Sequence, residues 1–150
     1  MYTVEEFDEQ KSKVLKYVLY KKRTKQEVKN KFYSTIENEM LNDIIDELEE
    51  NGYISDSNYI ERAINEFKAL NNLSIKEIRY KLLTKGISNS LIDDYISNHL
   101  EELVEYEMES GIKLALKKSG TMEKEDIAKF LLKKGYTGEV VKEAIRELDN

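Results

Sequence analysis

The sequence predicts an all-α protein: three tandem three-helix repeats stacked into an elongated, curved array. Three observations carry that expectation. Apolar residues recur at spacings of three and four along most of the chain, as they do in helices with one buried face. Hydroxyl residues followed three positions later by Glu open several segments, and glycines close them. The third is repetition. A capped amphipathic helix, a glycine stop and a second capped helix are spelled out between Leu73 and His99, and the pattern returns on either side at a near-constant period, which marks a repeat architecture.

The chain has 150 residues, enough for one ordinary domain or a few small repeats. It has no cysteine and one histidine, which excludes a disulfide framework, a thiolate metal site and a His-rich one. Charged residues make up 36% and hydrophobic residues 40%, placed periodically, and proline is absent, so this is a helical composition rather than a disordered one. The first residues, M-Y-T-V-E-E-F-D-E, are acidic where a secretion signal would be basic, and no apolar run approaches membrane-spanning length. A cytoplasmic, monomeric protein is expected.

In order along the chain, Val4 to about Lys22 carries Val4, Phe7, Val14, Leu15, Val18 and Leu19 in helical phase, its first turns before Gln10 polar enough to fray. Thr24 and Glu27 form a capping box ahead of Val28 and Phe32. A third helix from about Glu37 to Glu50 buries Met40, Leu41, Ile44, Ile45 and Leu48, and Asn51-Gly52 stops it. Asp56 or Ser57 caps the next helix, which runs through Tyr59, Ile60, Ile64 and Phe67. Ser74 and Glu77 box the helix of Ile78, Leu82 and Leu83, which Gly86 ends, and Ser88 caps that of Leu91, Ile92, Tyr95 and Ile96. A longer helix spans about His99 to Lys118, with a disturbance expected at Ser110-Gly111 because glycine disfavours helix interiors by about 1 kcal/mol. Thr121 opens the last repeat, in which Ile127, Phe130 and Leu131 precede a Gly135 stop and Val140, Val141, Ala144, Ile145 and Leu148 follow a Tyr136-Thr137-Gly138 turn.

Aligned on this pattern, Val28, Ile78 and Ile127 correspond, as do Met40-Leu41, Leu91-Ile92 and Val140-Val141. The repeats are expected at residues 1–54, 55–98 and 99–150. Lys85-Gly86-Ile87-Ser88 matches Lys134-Gly135-Tyr136-Thr137, whereas the first repeat has Ser34-Thr35 and no glycine. A helix trio of this size buries its core poorly alone, so neighbours stack, and such arrays usually bind along a surface.

Charge is segregated within a net −6. Lys11 to Lys31 holds nine basic residues and one acid, and Phe32 to Ile54 holds seven acids and no base. Basic residues recur in the middle helices: Lys25 and Lys29, then Lys76, Arg79, Lys81 and Lys85, then Lys129 and Lys133. With Arg62 they are the candidate partner-binding residues, because stacking would align the middle-helix group as a positive stripe that steers an anionic partner. Lysines on exposed helix faces also serve solubility and helix formation alone. No nucleotide, nucleophile or metal motif is present, so no catalytic residue, metal or cofactor is expected. Asp93-Asp94 are adjacent on a helix and face apart, and His99 reads as a core-edge or capping residue.

The segment Gly52-Tyr53-Ile54-Ser55-Asp56 with Tyr59, followed by Ile78-Arg79 and Leu82-Leu83-Thr84-Lys85-Gly86-Ile87, resembles the central repeat of the bacterial RecX regulatory proteins, and the likeness extends over about residues 10–149 in helical phase. The resemblance implies three three-helix repeats and a non-enzymatic regulator that lodges in the RecA recombinase filament on single-stranded DNA and modulates it, usually by inhibition. DNA, single- or double-stranded, is a further candidate partner. The chain departs from the family in its acidic balance and in the missing first-repeat glycine. A rival reading, from the short turns between helices, is a helix-turn-helix DNA-binding protein.

Overall fold

The computed structural model describes residues 1–149. Among the described residues there are nine helices and no strand: α1 Val4–Tyr20, α2 Lys25–Phe32, α3 Asn38–Glu50, α4 Asp56–Leu70, α5 Ile75–Thr84, α6 Asn89–Asn98, α7 Leu100–Lys118, α8 Lys124–Lys134 and α9 Gly138–Leu148. Their boundaries follow from local chemistry. Capping boxes Thr24–Glu27 and Ser74–Glu77 open α2 and α5, Ser88 and Thr137 cap α6 and α9, and Gly52, Gly86 and Gly135 take positive φ where α3, α5 and α8 end.

Four local expectations are corrected. Ser55, not Asp56 or Ser57, caps α4. The start of α1 does not fray: Thr3 and Glu6 form a further capping box, Tyr2 stacks on Phe7, and the Tyr2 hydroxyl donates to Asp43 of α3. The last middle helix begins at Lys124 rather than Thr121, behind a Glu123 that makes no side-chain cap. Finally, α7 runs unbroken through Ser110-Gly111. Both residues are buried there, and a Cβ on Gly111 would lie 2.4 Å from Val140 Cγ1, so the glycine permits the close α7–α9 approach.

The buried apolar side chains fall into three clusters. The first comes from α1–α3 (Val14 to Ile54), the second from α4–α6 together with Leu103 and Tyr106 of α7, and the third from Leu114 and Ala115 of α7 with α8 and α9. One long helix therefore serves two cores. The chain exposes 9669 Å², against about 7,900 Å² for a compact monomer of its mass, so the molecule is elongated.

Neighbouring units meet through one contact made twice. Thr24 accepts from the Glu27 amide and donates to the Lys85 carbonyl at 2.7 Å. Ser74 accepts from the Glu77 amide and donates to the Lys134 carbonyl, also at 2.7 Å. The first amides of the same helices donate to carboxylates of the following unit, Lys25 to Asp56 at 2.9 Å and Ile75 to Glu107 at 2.7 Å. Gly86 packs on Gln26 and Gly135 on Lys76, where a Cβ would lie 2.3 and 2.8 Å from the facing Cβ. Lys85 and Lys134 then reach back to Glu27 and Glu77. One buried hydroxyl thus joins two helix ends whose amides and carbonyls lack intrahelical partners.

Gly86 and Gly135 stand where a middle helix ends against the side chain of an earlier unit's middle helix, Gln26 and Lys76.

Candidate partner-binding surface

The structure divides the basic residues of the middle helices into separate places. Lys25 and Lys29 line a cleft of about 570 Å³ at the first joint, with Gln26 beside them and Gly52, Asn58, Ser88 and Leu91 opposite. Lys25 is half-buried and its ammonium lies 3.3 Å from Glu49, while Lys29 has no ion pair among the described residues. Lys76 and Lys81 line a second cleft, about 440 Å³, with the exposed Tyr80 and with Lys134 across the second joint. Both are exposed and unpaired among the described residues, as are Lys129 and Lys133 of α8, which line neither cleft.

Arg79 and Lys85 are engaged within the protein. Arg79 pairs with Asp93 of α6. Lys85 sits at the first joint with its ammonium 3.8 Å from Glu27 and its carbonyl taken by Thr24. Their charges are partly spent on structure, and of the predicted middle-helix residues Lys29, Lys76, Lys81, Lys129 and Lys133 have no ion pair among the described residues.

Arg62, exposed on α4, belongs elsewhere. It lines a pocket of about 230 Å³ with Lys22, Arg23, Tyr53, Ser55 and Tyr59, between the α1–α2 connector and α4. The Arg23 guanidinium lies 4.1 Å above the Tyr17 ring, and its Nε is shielded from solvent without a hydrogen-bond partner. Burial pushes the Tyr59 phenol up, and Glu27 and Glu66 add to the rise. Of these residues the sequence marked Arg62 alone as a partner-binding candidate, while Tyr53, Ser55 and Tyr59 stood out only as carriers of the family resemblance. The available signal was the basic run from Lys11 to Lys31, but which of its nine cations gather around a pocket depends on where the connector folds.

Two of the three third helices carry charge of the opposite sign, while α9 mixes both with Lys142 and Arg146. Neither α3 nor α6 contains a Lys or Arg, and both carry carboxylates. His99 closes α6 and opens α7. Its Nδ1–H donates to the Tyr95 carbonyl at 2.8 Å and its ring stacks on Tyr95, as a capping residue would. Among the described residues no group of His, Asp and Glu is placed to hold a metal, and no helix is long and apolar enough to cross a membrane.

No protein-family model matches the chain. Individual proteins do. The chain is similar to the regulatory protein RecX of Staphylococcus carnosus, 32% identical over 139 residues, covering 90% of this chain and 52% of that one. It is similar to the regulatory protein RecX of Finegoldia magna, 32% identical over 143 residues and covering 86% and 66%. The crystal structure of RecX from Lactobacillus salivarius superposes with a TM-score of 0.84 at 26% identity, over 98% of this chain and 99% of that chain. The chain spans about half to two thirds of the length of the curated relatives it matches.

Proposed function

Since this chain belongs to the RecX family of regulatory proteins, we propose that it is a non-enzymatic regulator that binds the RecA recombinase filament on single-stranded DNA in the cytoplasm and inhibits its recombination and ATPase activity. The observation that carries the reading is a fold shared over nearly the whole chain with a RecX of known structure. In this reading residues 1–54, 55–98 and 99–150 act as three units of one monomer, each presenting its middle helix to the filament. The unpaired cations Lys29, Lys76, Lys81, Lys129 and Lys133 supply the attraction, with Lys25, Arg62, Arg79 and Lys85 flanking them. Steering by such charges raises encounter rates and is screened by salt.

The helix-turn-helix alternative is disfavoured by charge. In the α2–α3 and α5–α6 pairs the second helix would have to enter the major groove, and both α3 and α6 hold carboxylates and no Lys or Arg; α9 alone among the third helices carries cations.

The test is RecA ATP hydrolysis on single-stranded DNA with and without this chain. The double variant K76E/K81E, at exposed positions outside the joint hydrogen bonds, should keep its helicity and need about tenfold more protein for half inhibition. Arg79 and Lys85 suit the test less, since reversing them also breaks contacts to Asp93 and Glu27. Unchanged inhibition by the folded variant removes Lys76 and Lys81 from the mechanism, and inertness of the unaltered chain at several-fold excess removes the function.

A further inference from the structure

The two joints use the same hydrogen bonds but are not filled alike. At the second joint the carboxylate that holds the Ile75 amide is Glu107, two turns into α7, and the residue before it, Tyr106, is buried. Its hydroxyl donates to the Leu73 carbonyl at 2.7 Å and accepts from the Leu73 amide at 3.3 Å. At the first joint the corresponding carboxylate, Asp56, is the first residue of α4, and the residue before it is Ser55. Where the second joint has a tyrosine the first has a serine, and the pocket of about 230 Å³ lined by Ser55 opens there. Arg23, which precedes Thr24 as Leu73 precedes Ser74, also lines that pocket.

We propose that this pocket is a docking site for an acidic helical segment of a partner protein that inserts one aromatic side chain beside Ser55. The occupant is read from the second joint, where Tyr106 stands between Glu105 and Glu107 on a helix that also carries Glu101, Glu102 and Glu109. The rim complements such a segment. Lys22, Arg23 and Arg62 have no ion pair among the described residues, and Glu61 is the one carboxylate lining the pocket with them. An aromatic ring supplies most of the binding area and the flanking carboxylates supply orientation, as in helix-in-groove recognition. This goes beyond the filament reading and does not depend on which protein the partner is.

The experiment is an NMR titration of the whole ¹⁵N-labelled chain with a synthetic peptide of residues 101–109, whose tethered original already fills the second joint. Amide shifts are expected at Arg23, Ser55, Tyr59 and Arg62. A peptide with Tyr106→Ala and the protein variant R62E should each weaken binding about tenfold. R62E lies on an exposed helix face, so the test does not hang on altering Arg23, which packs on Tyr17. Three results overturn the proposal: no shift at these amides, equal affinity for the alanine peptide, or shifts confined to the second joint around Leu73 and Ile75. A fourth is displacement of the peptide by oligothymidylate at matched charge, which would make the pocket a phosphate-strand groove.

Discussion

The first joint, between α2 and the α4–α6 unit, and the second, between α5 and the α7–α9 unit, share a hydroxyl, a glycine and a carboxylate but differ in what surrounds them. The connector into α4 is a glycine turn, Asn51 to Ser55, and it leaves clefts on both sides. The connector into α7 is the single residue His99, so two further turns of helix run across the joint. Leu103 and Tyr106 fill the space, and Ser110 bonds the Tyr136 hydroxyl at 2.6 Å beneath them. One bonding scheme thus gives a solid joint where a helix covers it and an open one where a turn does. The clefts lined by Lys25 and Lys29 and by Arg62 lie at the open joint, whereas Lys76 and Lys81 line a cleft beside the filled one.

The two joints are most sensitive at their glycines. G86A and G135A each force an L-residue into left-handed backbone and against a neighbouring side chain, for about 2–4 kcal/mol. The first joint is tighter at this point, with the Gln26 Cβ and Cγ at 2.3 and 2.5 Å against 2.8 and 3.0 Å for Lys76, so G86A should cost more. Urea unfolding followed by circular dichroism measures both. A split transition in G86A alone would mean that α1–α3 uncouples first, and equal costs would show that facing side chains yield freely.

A sharper contrast lies in the carboxylates. Burial holds the Glu107 carboxyl above the usual carboxylate range, partly offset by the Ile75 amide bond. With the folded pKa above the unfolded one, this group's contribution to stability is fully present below the unfolded value and lost as pH rises through the folded value. E107Q, which retains an acceptor for the Ile75 amide, should be less dependent on pH above the ordinary carboxylate range than the unaltered chain, with a difference of about 1 kcal/mol or less at neutrality. An identical pH profile for the two proteins would contradict a buried, ionising Glu107.

The smallest effect separates the two lysines. Lys134 and Glu77 are 2.9 Å apart with side chains 23% and 27% exposed, whereas Lys85 and Glu27 are 3.8 Å apart and 48% and 24% exposed. K134A should cost roughly 0.5–1 kcal/mol and K85A close to nothing. A larger loss in K85A, in the same urea experiment, would reverse the assignment of the open and closed joints.

Much of this was legible in the residues themselves. The capping boxes at Thr24 and Ser74, the stops at Gly52, Gly86 and Gly135, and the buried phases of Val28, Ile78 and Ile127 are local signals, and the helices lie where they point. The misses turn on contacts distant in sequence. Tyr2 ties the start of α1 to Asp43, and Gly111 reads as a helix breaker until α9 is seen against it. The candidate site was less legible. Lys85 and Lys81 look alike in sequence, yet one faces Glu27 across a joint and the other stands free, and Arg23 becomes notable when a pocket closes around it.

Local signals in the chain placed the helices and most of their ends, because hydrophobic period and capping act within a few residues of one another. Tertiary structure alone decided how one repeat seats on the next. The partners of Thr24 and Ser74 lie about sixty residues away, and whether a joint is filled turns on whether a helix or a glycine turn crosses it. That choice depends on packing between units, which no local pattern encodes.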